Sequence, residues 1–530
     1  MIPINDNESA VQAKYALELA LLSGAPWELW SSEKLITTLV SAPPQEYALS
    51  IEWGKLIFAW WNDGAAQSWR VTSYDITPAE IRLRSTRSFG RDLTTLTLRA
   101  SASSRVKTLP DILNLAEQRH FYAQALPQLL SQYFAEAHVQ VLPGTNRSQL
   151  GTPPYVRLRL HKGRENILAI GVNEAEPQPE IDGIVAAGLL WLARHTQPAD
   201  GQRQIQRLCF CLPAQRSQTV IERLSLLSPQ PFGAQVECLE VAPRYERLSP
   251  LSLATQIELI NLHARELRWP AASTKPGVWR ERILQLAPEL IEIRPHPQLE
   301  AESFRIHGLE FARVNQRGLE RASFGVAGLA AESGFPAQQS LTEANFAQLA
   351  ALVRQIRDFR CAQTPNRQHP LYRLRAEAWL ESLLRRNLRA LDAKLDERFI
   401  YSQIPAWRAD ERAVLDLLTV TQTGRLVVIE VKASEDPQLP FQGLDYWLRV
   451  EQARARGELR QRGLFAGLQL TDQPPLLYLV APRLRFHRSF TTLARCLAPE
   501  IEVYRLGLNT NWRVGLHVHT RERLNAVEAL

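Results

Sequence analysis

A chain of 530 residues is several times longer than one typical domain, and its 45% hydrophobic against 22% charged residues excludes a disordered chain, a collagen-like rod and a coiled coil. No apolar run approaches the roughly 18 residues of a membrane span, and five cysteines (Cys209, Cys211, Cys238, Cys361, Cys496) without CxxC spacing exclude a disulfide scaffold and a four-cysteine zinc ribbon. The net charge is +7, and only eight of the 62 basic residues are lysine, so a lysine kept where arginine is the habit asks for a reason.

The N-terminus lacks the basic-then-apolar build of a secretion signal, so a cytoplasmic protein with no membrane partner is expected. The first 35 residues read as helix. Alternating strands follow over about 46–99, with a turn at Asn62-Asp63-Gly64. Six of the thirteen tryptophans precede residue 70, a pattern that suits a small β-barrel core or a base-stacking face. Residues 1–108 are thus expected to form a helix plus a β-rich module.

Next comes a helix over 109–134, then strands at 138–142, 155–160 and 167–172, a helix at 181–194 and a strand at 207–212. Residues 246–360 read as a mixed α/β region, with strand-like 304–314 and a helix over 343–359. Residues 361–370, with two prolines, read as a linker. From 371 the earlier order returns: a helix at 371–388, strands at 399–403, 413–421 and 426–431, a helix at 442–456, a strand at 475–480, a helix near 489–496 and a strand at 501–505.

Three short stretches recur in the same order. Ile170-Gly171-Val172-Asn173 falls where Ile429-Glu430-Val431-Lys432 falls, LCFCLP (208–213) where LYLVAP (477–482) falls, and AQVECLE (234–240) where EIEVYRL (500–506) falls. An internal duplication of an αβββαβ domain is expected, with copies at 109–245 and 371–530.

The chemistry concentrates in the later copy. Asp416 interrupts an apolar strand, a Thr423-Gly424 turn follows, and the return strand is apolar until Glu430 and Lys432, which a period of two places on one face. Two carboxylates on neighbouring strands beside a lysine suit Mg²⁺ or Mn²⁺ and the activation of a water against a phosphodiester. The same residues in the earlier copy, counted from Gly171, are Arg157, Gly171 and Asn173, which cannot hold a metal. That copy would serve in packing, or in backbone contact through Arg157, Arg159, Lys162 and Arg164.

This stretch, with the glutamate-bearing helix before it and Gln442-Gly-Leu-Asp-Tyr446 after it, resembles the core of the PD-(D/E)XK (restriction-endonuclease-like) phosphodiesterase superfamily. Residues 371–482 are similar to the catalytic domain of NucS-type and RecB-type nucleases. The resemblance implies Asp416 and Glu430 as metal ligands, Lys432 as catalytic lysine, Glu377 as helix carboxylate (with Glu381 as its competitor), and Gln442 and Tyr446 as a QxxxY pair. The family's proline before Asp416 is absent, and 396–412 reads as an insertion. The expected function is metal-dependent DNA hydrolysis in repair, recombination or defence, with RNA as the other polymer and a protein partner or homo-oligomer left open. The competing expectation is a catalytically silent binding or scaffold protein that keeps the fold. His517 and His519, alternate on a strand, lack a third ligand nearby in sequence.

Overall fold

The computed structural model describes residues 1–22, 27–31, 34–39, 47–52, 54–62, 65–77, 80–87, 92–100, 115–142, 154–195, 204–214, 216–228, 230–242, 245, 247–262, 277–295, 301–315, 320–327, 338–408 and 411–525. The chain is a mixed α/β protein, and its described residues form four separate sheets. It divides into two compact units, residues 1–112 with 272–374 and residues 113–271 with 375–530.

In the first unit, a helix at Asn7–Leu22 packs on an antiparallel sheet whose strands run from Trp27–Ser31 to Asp92–Ala100. The helix expected to reach residue 35 stops at Leu22. Beyond it Trp27 and Leu29 are buried and Glu28 and Trp30 are half-buried, a period of two that makes a strand. Trp27 and Trp60 are core residues. The last two residues of the expected Asn62-Asp63-Gly64 turn lie outside the described residues.

A second sheet of this unit shares its core with a helix at Phe346–Phe359. The single strand expected over 304–314 is a hairpin, Ala301–Ile306 against Leu309–Asn315, because His307 and Gly308 both take positive φ (47° and 73°) and reverse the chain. Residues 361–370 are not the boundary between compact units. The buried Arg360 guanidinium donates to the carbonyls of His307, Leu371 and Leu374, and the units divide after Leu374. The helix expected over 371–388 is broken there, since Arg375 adopts a left-handed φ of 46°.

The second unit is built from two halves. The first runs α1 (Leu115–Tyr133), β1 (His138–Val141), β2 (Tyr155–Lys162), β3 (Glu165–Val172), α2 (Gln178–Ala193), β4 (Arg207–Pro213), α3 (Gln218–Ser225), β5 (Gln235–Val241) and β6 (Leu248–Pro250). The second runs α4 (Ala376–Arg386), β7 (Tyr401–Arg408), β8 (Glu411–Val420), β9 (Leu426–Val431), α5 (Leu439–Ala455), β10 (Leu476–Pro482), α6 (Phe490–Ala494), β11 (Val503–Leu508) and β12 (Val518–Arg523). The stretch expected as an insertion over 396–412 supplies β7 and the start of β8. Sheet orders β1-β2-β3-β4-β5-β6 and β7-β8-β9-β10-β11-β12 match strand for strand, with antiparallel pairs at both ends and two parallel pairs in the middle.

The halves share one hydrophobic core, in which Ile170, Ile184 and Phe210 lie with Val428, Leu444 and Leu479. Their contacts are reciprocal, as a twofold relation requires. Helix α3 packs on α5 as α6 packs on α2. An antiparallel bridge joins the residues that follow α3 and α6, with Ser228 N–H donating to Cys496 O (2.8 Å) and Ala498 N–H to Leu226 O (2.9 Å). Two buried ion pairs cross the same interface. Arg223 grips Asp445 with two hydrogen bonds (2.9 and 2.8 Å), and Arg449 meets Glu222 at 2.5 Å.

The register between the halves differs by one residue from the sequence likeness. With LCFCLP laid on LYLVAP, Phe210 matches Leu479, and their parallel partners are Ile170 and Glu430. Ile170, not Gly171, is therefore the counterpart of Glu430. Gly171 faces α1, where an added Cβ would come within 2.4 Å of Tyr122 Oη. The counterpart of Lys432 is then Val172, while Arg157, paired with Ile170, stands where Asp416 stands. The same register aligns Glu176-Pro177-Gln178 and Gly183 with Asp436-Pro437-Gln438 and Gly443, a likeness the sequence reading overlooked.

Candidate active site

The site forms where β8 and β9 part. Their ladder ends at Leu417 opposite Ile429, and the next residues are Asp416 and Glu430. The Val431 N–H, on the β8 side of its strand, donates to the Asp416 carboxylate (Oδ2, 2.9 Å), so a side chain takes the place of a ladder bond where the strands part. Lys432 continues the face of Glu430, and its Nζ lies 3.6 Å from Glu430 Oε1, 3.8 Å from Asp436 Oδ2 and 4.0 Å from Glu377 Oε2.

Helix α4 presents Glu377 and Glu381 one turn apart on one face. Glu377 is half exposed and reaches Lys432, whereas Glu381 is buried and its charge acts on Asp416 more strongly than that of Glu377. Both carboxylates of the helix therefore belong to the site. Asp436 is the residue that sequence reasoning missed. Its Oδ1 accepts the Gln438 N–H at 2.7 Å, an Asx turn that fixes the start of α5. The Asp-Pro-Gln that mirrors Glu176-Pro177-Gln178 was the signal available for it.

Gln442 and Tyr446 stand one turn apart on α5, which lies over β9 and β10. Gln442 Oε1 is buried without a hydrogen-bond partner among the described residues, and Tyr446 packs half-buried against the shared core. His517 and His519 lie at and beside the start of the edge strand β12; Asn509, near His517, accepts that residue's N–H.

Burial dominates the electrostatics. It lifts Asp416 to about 7, with the charge of Glu381 adding to it, and it raises Glu430 well above the usual carboxyl range, with Asp416 adding to it. For Lys432 burial opposes the ammonium, but Glu430, Glu377, Asp416 and Asp436 outweigh it and the pKa is raised. The metal-free site thus keeps a proton on its buried carboxyl pair at neutral pH while Lys432 stays charged.

A divalent cation fits these donors. Glu430 Oε2 is buried and, among the described residues, meets no donor in hydrogen-bond geometry, while the Glu430 and Asp416 carboxyls lie close enough to share a proton, two acids facing one anionic pocket. Among the described residues no three His, Cys, Asp or Glu side chains converge as a metal cluster. One or two carboxylates with water completing the shell is the habit of Mg²⁺.

A stability test follows from the raised pKa of Asp416. The unfolded carboxyl releases its proton near pH 4 and the folded one near 7, so this group's contribution is present in acid and lost as pH rises through 7. Asp416→Asn keeps an acceptor for Val431 N–H and removes the titration. In the metal-free protein it should raise the melting temperature by about 2–6 °C at pH 8, with the gain growing from pH 4 to 7 and levelling above. Thermal scans in chelator across that range measure it, and a gain independent of pH would contradict the burial of an ionisable Asp416.

The first half shows what replaces such a site. Its counterpart positions are Arg157, Ile170 and Val172, and Glu176, the counterpart of Asp436, is fully buried in a two-point pair with Arg119 of α1 (2.6 and 2.8 Å). The acid is matched there by a guanidinium, with no carboxylate pair for a metal.

No protein-family model matches the chain, and no curated protein matches it.

Proposed function

We propose that the second unit is a metal-dependent nuclease that hydrolyses phosphodiester bonds of DNA, and that it is a PD-(D/E)XK enzyme carrying an inactive copy of its own catalytic domain. The observation that carries this reading is the pair Asp416 and Glu430 at the strand fork, with Lys432 Nζ 3.6 Å from Glu430 and Glu430 Oε2 meeting no donor among the described residues. Asp416 and Glu430 would hold Mg²⁺ or Mn²⁺, which when bound supplies positive charge at a phosphoryl oxygen and acidity to a water. The chain's own groups do the rest. Lys432, kept charged by four carboxylates, orients the attacking water or meets the charge that develops on the phosphoryl oxygens. Glu377 and Asp436 hold that ammonium in place from two elements. Gln442 Oε1, buried and unpartnered among the described residues, is an acceptor ready for a donor that substrate brings.

The test compares wild type with Glu430→Ala on linear, circular, single-stranded and branched DNA, with RNA as a control, each with Mg²⁺, Mn²⁺ or chelator. Metal-dependent cutting by the wild type and a loss of at least about a hundredfold in the variant are expected. Equal cutting by both removes the assignment. No cutting, together with no Mn²⁺ uptake by calorimetry, favours the silent scaffold.

A further inference from the structure

Reciprocal packing makes the second unit a dimer within one chain, and only one of its halves has carboxylates for a metal. On β2 of the other half, Val156, Leu158 and Leu160 point into the core shared with α1, so Arg157 and Arg159 point to the opposite face, the α2 side. Helix α2 packs on β3 and β4, and there Arg157 and Arg159 remain only partly covered. The Nε of each is shielded from water yet has no hydrogen-bond partner among the described residues. Burial depresses the Arg157 pKa and the nearby Arg194 depresses it further, and among the described residues no acid pairs with Arg157.

This face continues to the catalytic half. Tyr155, two residues before Arg157 on the same side of β2, donates to Glu180 O and lies against Gly183. A Cβ on Gly183 would be 2.6 Å from Tyr155 Oη and 3.7 Å from Gln438 Nε2, and Gln438 is held by Asp436 beside Lys432. Arg159, Arg157 and Tyr155 thus share one face of β2, and Tyr155 and Gln438 meet at Gly183, Gln438 lying two residues along the chain from Asp436, whose carboxylate reaches Lys432.

We propose that duplex DNA lies across both halves, its backbone phosphates held by Arg157 and Arg159 of the metal-less half, and that only the strand at Asp416 and Glu430 is cut, so that the product of one binding event is a nick. This rests on the nuclease reading above and adds to it the substrate form and the outcome. Guanidiniums lacking acceptors suit phosphate oxygens, and a basic residue where the sister half has Asp416 turns a cutting position into a holding one. In the cut strand, water adds across one phosphodiester. One P–O bond forms and one breaks, leaving a phosphate end and a hydroxyl end.

The experiment uses the full chain with Mn²⁺ or Mg²⁺ and supercoiled plasmid in excess over protein. Open circles should accumulate first, with linear DNA appearing only later from independent nicks. Linear DNA formed at the rate of substrate loss, without open circles, overturns the proposal and leaves the nuclease reading standing, whereas no cutting removes both. In a second arm, Arg157→Gln/Arg159→Gln is expected to bind a labelled 30-base-pair duplex about tenfold more weakly, with a salt slope shallower by about 2. Its Mn²⁺ affinity and melting temperature should stay those of the wild type. Unchanged duplex binding overturns the placement of DNA on the first half.

Discussion

Arg223→Ala is expected to lower the stability of the second unit by about 3–5 kcal/mol, the largest loss we anticipate from any single substitution. Arg223 is 1% exposed and its guanidinium is satisfied on every side. Two bonds go to Asp445, one goes to the Asp182 carbonyl at 2.7 Å, and its plane lies 5.3 Å from the Phe441 ring. Truncation takes the two-point guanidinium partner away from the buried Asp445 carboxylate and frees the Asp182 carbonyl of its donor. The cost is then set by the desolvation of a buried carboxylate that has lost its two-point partner rather than by the modest net worth of the pair. Urea denaturation followed in both halves measures it. The double variant Arg223→Leu/Asp445→Leu should lose less than Arg223→Ala, because that carboxylate is gone as well. A double variant that loses as much as the sum of the singles would show that packing, not charge, sets the effect.

The same pair explains why the dimer is held within one chain in an asymmetric way. Counting from the bridge residues Leu227 and Leu497, the position of Arg223 is taken in α6 by Leu493, a core residue. One side of the interface is fastened by ions and the other by apolar packing. Two identical subunits could not adopt that division, whereas two halves of different sequence can.

The acidic pair was legible in the sequence because a carboxylate inside an apolar strand pair is costly and stands out. Asp416 lies among Val414, Leu415, Leu417 and Leu418, and a turn at Thr423-Gly424 brings it opposite Glu430 by simple counting. The likeness of the two halves was legible as a repeated order of elements. Its register was not, since the turn between Lys162 and Glu165 has two residues where that between Val420 and Leu426 has five. Laying Ile170-Gly171-Val172-Asn173 on Ile429-Glu430-Val431-Lys432 thus misassigns Gly171 by one residue, and only the pairing of β3 with β4 corrects it. The first unit's make-up was equally hidden. Residues 1–112 and 272–374 are joined by compactness, which local periodicity does not encode. Glu381 escaped a firm role because its burial depends on how α4 lies against β8 and β9.

Lys432→Met is expected to lower the turnover of the proposed nuclease by about 10²–10³-fold while Mn²⁺ binding stays the same or tightens. The ammonium is not a metal ligand, and removing it takes a positive charge away from Asp416 and Glu430, so the cation loses a competitor. What disappears is the charge that meets the developing phosphoryl charge. Lys432→Arg should not restore turnover, because a planar fork cannot occupy the point within 4.0 Å of Glu377, Glu430 and Asp436 that Nζ fills. In a chain that otherwise prefers arginine, that geometry gives a reason for this lysine. The pH profile separates the roles. Lys432, with its raised pKa, should give no alkaline fall below about pH 10, and activity is expected to rise with pH as the buried carboxyl pair gives up its proton to metal. Turnover in Lys432→Met equal to wild type, at saturating Mn²⁺, would remove the lysine from the reaction and leave the two acids to act alone.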